Sequence, residues 1–121
     1  MVKPEYQDLV RLIHDRAGNT FRSAFSYTAD DWQPLYLRDD IATKELHDVL
    51  PQLIDRARTI EPIVREEEYP KIGAAQASVE LHEHGVLIHF RESENEGVAV
   101  SLEREAAREL ATFIDSCTEL L

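Results

Sequence analysis

The chain has 121 residues, 43% hydrophobic and 31% charged, a balance that suits one globular domain with a packed core and excludes a disordered chain. Its 24 acidic residues against 13 lysines and arginines leave a net charge of −11, which repels phosphate backbones and excludes nucleic acid as a direct partner. No apolar run approaches the ~18 residues of a membrane span, and Met1-Val2-Lys3-Pro4-Glu5 has no apolar signal core, so a cytoplasmic protein of one domain over 1–121 is expected, without membrane contact.

The first helix is expected to start at Pro4 and stop at Gly18-Asn19, with Tyr6, Leu9, Val10, Ile13 and Ala17 on one face. From Thr20 to Thr28 the period changes to two. Phe21, Ser23, Phe25 and Tyr27 alternate with Arg22, Ala24, Ser26 and Thr28 in the manner of a half-buried strand. The turn Ala29-Asp30-Asp31 leads to a second strand, Trp32 to Leu37, which Pro34 marks as a sheet edge.

Asp39 and Asp40 are candidate caps for the next helical region, where Leu46, Val49, Leu50, Leu53, Ile54, Ala57 and Ile60 keep a helical period. Pro51 interrupts it, and a proline inside a helix costs ~3 kcal/mol, so a kink or a break is expected there. Pro62 and Tyr69-Pro70 bracket a further short helical piece containing Arg65 and Glu66-Glu67-Glu68, a solvated face.

A strand is expected from Gly73 to His82, with Ala75, Ala77, Val79 and Leu81 on one face and Gln76, Ser78, Glu80 and His82 on the other. A tight turn follows. Placed at His84-Gly85 it sets Leu81 opposite Ile88 and Glu80 opposite His89; placed at Glu83-His84 it sets Leu81 opposite Val86 and separates Glu80 from His89. Arg91 to Gly97 reads as a polar loop before a last strand, Val98 to Leu102. Ser101 is a candidate cap for a closing helix whose buried stripe would be Leu110, Phe113, Ile114 and Cys117. Leu81, Ile88, Val100 and Phe113 are expected to share one core. The lone Cys117 reads as a small core residue in a reducing compartment.

The fold class is therefore α+β, a mostly antiparallel five-stranded sheet with helices on its faces, in the order α-β-β-α-β-β-β-α. The segments Leu37-Arg38-Asp39-Asp40, Ser78-Val79-Glu80-Leu81 through Val86-Leu87-Ile88-His89-Phe90, and Gly97-Val98-Ala99-Val100-Ser101-Leu102 resemble a family of small acidic proteins from halophilic archaea. That resemblance implies a salt-rich cytosol and lends no activity. The charge agrees with it, because strong salt shortens the Debye length to ~3 Å at 1 M and screens self-repulsion. The element order also resembles the roadblock-type (dynein light chain) fold, with a profilin-like layout, whose members are mostly dimers that scaffold complexes and regulate small GTPases. No diagnostic motif of that fold transfers, and Ala29-Asp30-Asp31-Trp32 stands where its first hairpin commonly carries a glycine turn.

Two function classes follow. One is a non-enzymatic interaction or regulatory module, without cofactor, acting as a homodimer and holding a further protein partner. Its candidate interface is the uncharged strand segment with Ala75, Ala77 and Val79, backed by Leu50, Leu53 and Ile54 of the preceding helix, since Gly73 to Val79 carries neither charge nor proline. The other is a metal- or small-molecule-binding protein that uses Glu80, His82 and His89, two imidazoles and a carboxylate being able to hold zinc or iron. Asp30-Asp31 and Asp39-Asp40 could attract a hard cation but are also what turns and caps require. The glycines are too scattered for a phosphate-cradling loop, and no nucleophile signature is present.

Overall fold

In a computed structural model, which describes residues 3–121, the elements run α1 (Pro4–Ala17), β1 (Phe21–Tyr27), β2 (Trp32–Leu37), α2 (Lys44–Thr59), β3 (Ser78–His82), β4 (Gly85–Ser93), β5 (Glu96–Leu102) and α3 (Arg108–Thr118). The strands form one sheet in the order β2-β1-β5-β4-β3, with every neighbouring pair antiparallel. The α+β class and the element order thus agree with the sequence reading, and β2 and β3 are the two edges.

Helices cover both faces. On one, α1 lays Tyr6 against Phe21, Ala24, Val98 and Val100. On the other, α2 lays Leu50 and Ile54 against Phe25 and Tyr27. This explains why β1 is buried on both sides rather than half-buried: it lies between two helices, and register shifts at Phe21/Ser23 and Ala24/Phe25 let its side chains serve both layers. The α1 helix ends at Gly18, whose φ of 56° requires glycine-like freedom.

Several local expectations change. The α2 helix runs unbroken through Pro51, because Leu50 and Ile54, which flank the proline, anchor it to the sheet. Its cap is Thr43, whose Oγ1 accepts the Leu46 N–H at 3.2 Å, rather than Asp39 or Asp40. Between Pro62 and Pro70 no helix forms: the segment buries too little for so short a helix to persist, and only a 3-10 turn occurs, at Pro70–Ile72. The strand expected from Gly73 starts at Ser78, and Ala74 to Ala77 stay exposed outside it. The hairpin of β4 and β5 extends past the supposed polar loop, pairing Arg91 with Gly97 and Ser93 with Glu96. Ser101 caps nothing; it lies in β5, and a 3-10 turn at Arg104–Ala107 precedes α3.

The largest correction concerns α3. Of its expected stripe Ile114 is half-buried, but Leu110 and Cys117 are exposed and Phe113 is 65% exposed, while Ala111 is the buried residue. Phe113 therefore does not share a core with Val100, which is buried, or with Leu81 and Ile88, which are half-buried. Amphipathic period establishes which face of a helix is apolar, not whether anything packs on it.

Candidate functional site

The ladder of β3 and β4 decides the register left open above. Leu81 pairs with Val86, Val79 with Ile88, Glu80 with Leu87 and Ser78 with His89, so the turn is at Glu83-His84 and Glu80 does not face His89. Glu80 instead accepts a hydrogen bond from His82 Nε2 at 2.8 Å, both side chains being exposed at the edge of the sheet. His89 is 8% exposed and points inward. The three candidate ligands do not converge, and among the described residues no group of three histidine, cysteine, aspartate or glutamate side chains could hold a metal. Asp31 and Asp40 serve local structure: Asp31 Oδ1 accepts the Trp32 N–H at 2.8 Å, and Asp40 takes both Nε and Nη2 of Arg38, which hold its carboxyl below its ordinary pKa.

The face of the sheet beneath α2 holds a different arrangement. Residues opposite one another across strands share a face, so the register sets out two rows. One is Ser23, Ser101, Leu87 and Glu80, and the next is Phe25, Ala99, His89 and Ser78. On this face α2 packs Leu50 and Ile54 against Phe25 and Tyr27 and passes close to β5, and a cavity of about 280 Å³ remains between Leu46, Leu50, Leu53 and Ile54 of α2 and Leu87 and His89 of β4. Its walls are chiefly apolar, with polar groups from Arg22, Ser23, Ser101, Glu80 and His89, and Arg56 at α2.

Two buried polar pairs line or adjoin it. The Ser23 and Ser101 hydroxyls meet at 2.6 Å. Tyr27 Oη lies 2.5 Å from His89 Nε2 and 3.3 Å from the Ala57 carbonyl oxygen, with the two rings stacked at 5.8 Å. Burial, and secondarily the nearby Arg91 charge, push the His89 pKa below its ordinary value against the pull of Glu80; burial raises that of Tyr27. The pair is therefore neutral near pH 7. A hydroxyl has one proton: when Tyr27 donates it to the Ala57 carbonyl oxygen it accepts from His89 Nε2–H, and when it donates to Nε2 the imidazole proton is on Nδ1. His89 Nδ1 has no hydrogen-bond partner among the described residues. Arg91 fastens the adjoining loop, donating to the Ala57, Arg58 and Ile60 carbonyls at the end of α2.

The interface candidates divide. Leu50 and Ile54 are 6% and 3% exposed and are spent on the core, so of the α2 trio only Leu53, 40% exposed, is open to a partner. Ala75 and Ala77 are exposed beside β3, and Val79 is 51% exposed on it.

Sequence reasoning treated His89 as a surface ligand and passed over Tyr27, Arg22 and the serine pair. A weak signal was available: Ser23 and Ser101 are hydroxyl residues in strands rich in apolar residues, and buried hydroxyls call for a partner across the sheet. Among the described residues no helix is long and apolar enough to cross a membrane. No curated protein and no solved structure matches the chain significantly. A family model described as a domain of unknown function (DUF7522) matches residues 7–121, nearly the whole length, and the chain belongs to that family.

Proposed function

We propose that the protein is a non-enzymatic interaction module that pairs with a second copy of itself through β3. The observation that carries this reading is the character of that edge. In the ladder closed at His82 and Gly85, the alternation of an antiparallel pair turns the N–H and C=O of Val79 and Leu81 away from β4. An open edge of this kind is normally blunted by charge, proline or a bulge. The opposite edge, β2, carries Pro34 and a register shift against β1. On β3 the approach from Gly73 to Val79 has none of these, in a chain of net charge −11, and Val79 on the strand and Leu53 on α2 both stand exposed.

A twofold pairing suits this sequence. With Ser78 on the axis, antiparallel pairing sets Val79 opposite the partner's Ala77 and Leu81 opposite the partner's Ala75, small residues against larger apolar ones, and brings no two carboxylates face to face. The similarity of element order to the roadblock-type fold, whose members are mostly dimers, agrees by analogy of fold alone.

Light scattering in strong salt at tens of micromolar is expected to give twice the chain mass of 13.9 kDa. Val79→Pro removes an outward N–H without breaking the bonds to β4, and is expected to give a folded monomer. Ala77→Pro, just outside β3, should weaken the pair less. A monomeric parent protein, or a Val79→Pro variant that stays dimeric, refutes the reading.

A further inference from the structure

Phe25, Leu50, Ile54, Leu87 and Ala99 give the cavity beneath α2 much of its apolar wall. Leu53 and Glu80, both exposed, line it too, so it is open to solvent and a small molecule can enter. An apolar cavity of ~150 Å³ accepts one benzene ring. At about 280 Å³ this one has room for roughly two rings.

Two polar points stand in that wall. The first is the pair of Ser23 and Ser101, whose hydroxyls meet at 2.6 Å. Two hydroxyls carry two protons and their mutual bond uses one, so the pair keeps a proton to donate and lone pairs to accept, whichever serine is the donor. The second is His89, more than nine-tenths buried, whose Nδ1 has no hydrogen-bond partner among the described residues. A polar atom so deep in a protein is seldom left unpaired. Ser101 is opposite Leu87 and Ala99 opposite His89, in adjacent rows. Ser101 and His89 are therefore diagonal neighbours on the sheet, with Cα atoms about 7–8 Å apart. A hydroxyl group both donates and accepts, so it satisfies the serine pair in either arrangement and His89 in either tautomer.

The charges in the wall do not call for an ion. Arg22 and Arg56 line the cavity, and so does Glu80, which gives it both signs. An ionised group would also leave water for a chiefly apolar space, at a cost that a neutral molecule avoids.

We propose that this cavity binds a neutral, mainly apolar molecule of about two rings that bears a hydroxyl group, held between the Ser23–Ser101 pair and His89. Its walls come from one copy of the chain, so the site stands whether or not β3 pairs.

The test titrates 2-naphthol, naphthalene and 2-naphthoate into the full-length protein, followed by calorimetry and by amide chemical shifts. Saturable binding of 2-naphthol is expected, with shifts centred on Leu87, Ala99 and Ser101. It should bind at least threefold tighter than naphthalene and no more weakly than 2-naphthoate. Ser23→Ala and Ser101→Ala together should erase the preference for 2-naphthol over naphthalene and leave the melting temperature near that of the parent, because both partners of the bond are lost at once. Ala99→Leu, which fills the floor, should abolish binding of all three. The proposal is overturned by absence of saturable binding, by equal affinity for naphthalene, by tighter binding of 2-naphthoate, or by an unchanged preference in the double alanine variant.

Discussion

Gly97→Ala strikes the point where β5 passes beneath Tyr27. A Cβ at Gly97 would press on the Phe90 carbonyl oxygen and lie 2.6 Å from the Tyr27 hydroxyl and 3.0 Å from Cζ. An ordinary carbon–oxygen contact is about 3.3–3.6 Å, so the hydroxyl must retreat by roughly 0.7 Å or more. Tyr27 is 1% exposed and has no solvent to move into. Displacing it breaks the bond to His89, and moving the Phe90 carbonyl distorts the ladder of β4 and β5. Overpacking costs ~1–3 kcal/mol and a lost hydrogen bond ~0.5–1.5, so about 2–4 kcal/mol in all is expected. In a domain of this size that lowers Tm by roughly 8–16 °C. Urea denaturation followed by circular dichroism measures it directly. A double-mutant cycle isolates the cause: Tyr27→Phe should cost less in the alanine background than in the parent, because the hydroxyl that clashes is gone. A Gly97→Ala variant within about 0.5 kcal/mol of the parent would refute this account of the packing.

Two further outcomes follow from charge. His89 is held below its ordinary pKa by burial, so the unfolded chain binds its proton more tightly; stability is complete above the unfolded pKa of ~6.5 and falls as pH drops below it, by at most ~1.4 kcal/mol per pH unit. His89→Gln should flatten that part of the stability profile between about pH 6.5 and 5, and an unchanged slope would deny the histidine this role. With a net charge of −11, Tm should climb from ~0.1 M to ~2 M potassium chloride as repulsion is screened, whereas a flat response would remove the link between charge and a salt-rich setting.

The element order, the antiparallel pairing and the two helix layers were legible because they rest on local period. Alternation in β1, the 3.6-residue recurrence in α1 and α2, and turn residues such as Gly18 are local properties that no distant contact reverses. Pro34 marked β2 as an edge, whereas the place of β3 at the other edge followed only from the likeness of element order to the roadblock-type fold. Local period also misled where burial, not propensity, decides. The sequence from Pro62 to Pro70 has helical residues but no face to bury, and α3 has an apolar stripe that the sheet leaves exposed at Phe113.

What only the tertiary structure decided was where polar groups meet. A one-residue change at the turn moves His89 from opposite Glu80 to opposite Ser78, which parts the candidate metal ligands, while its burial against Tyr27 is set by the pairing of β4 with β5 and of β5 with β1. Tyr27 and His89 are 62 residues apart, and Ser23 and Ser101 are 78 apart. Their meeting depends on β5 being inserted between β1 and β4, a long-range pairing that carries no periodic mark in the sequence. The cavity beneath α2 depends on one step more, the seating of that helix on the sheet by Leu50 and Ile54 against Phe25 and Tyr27.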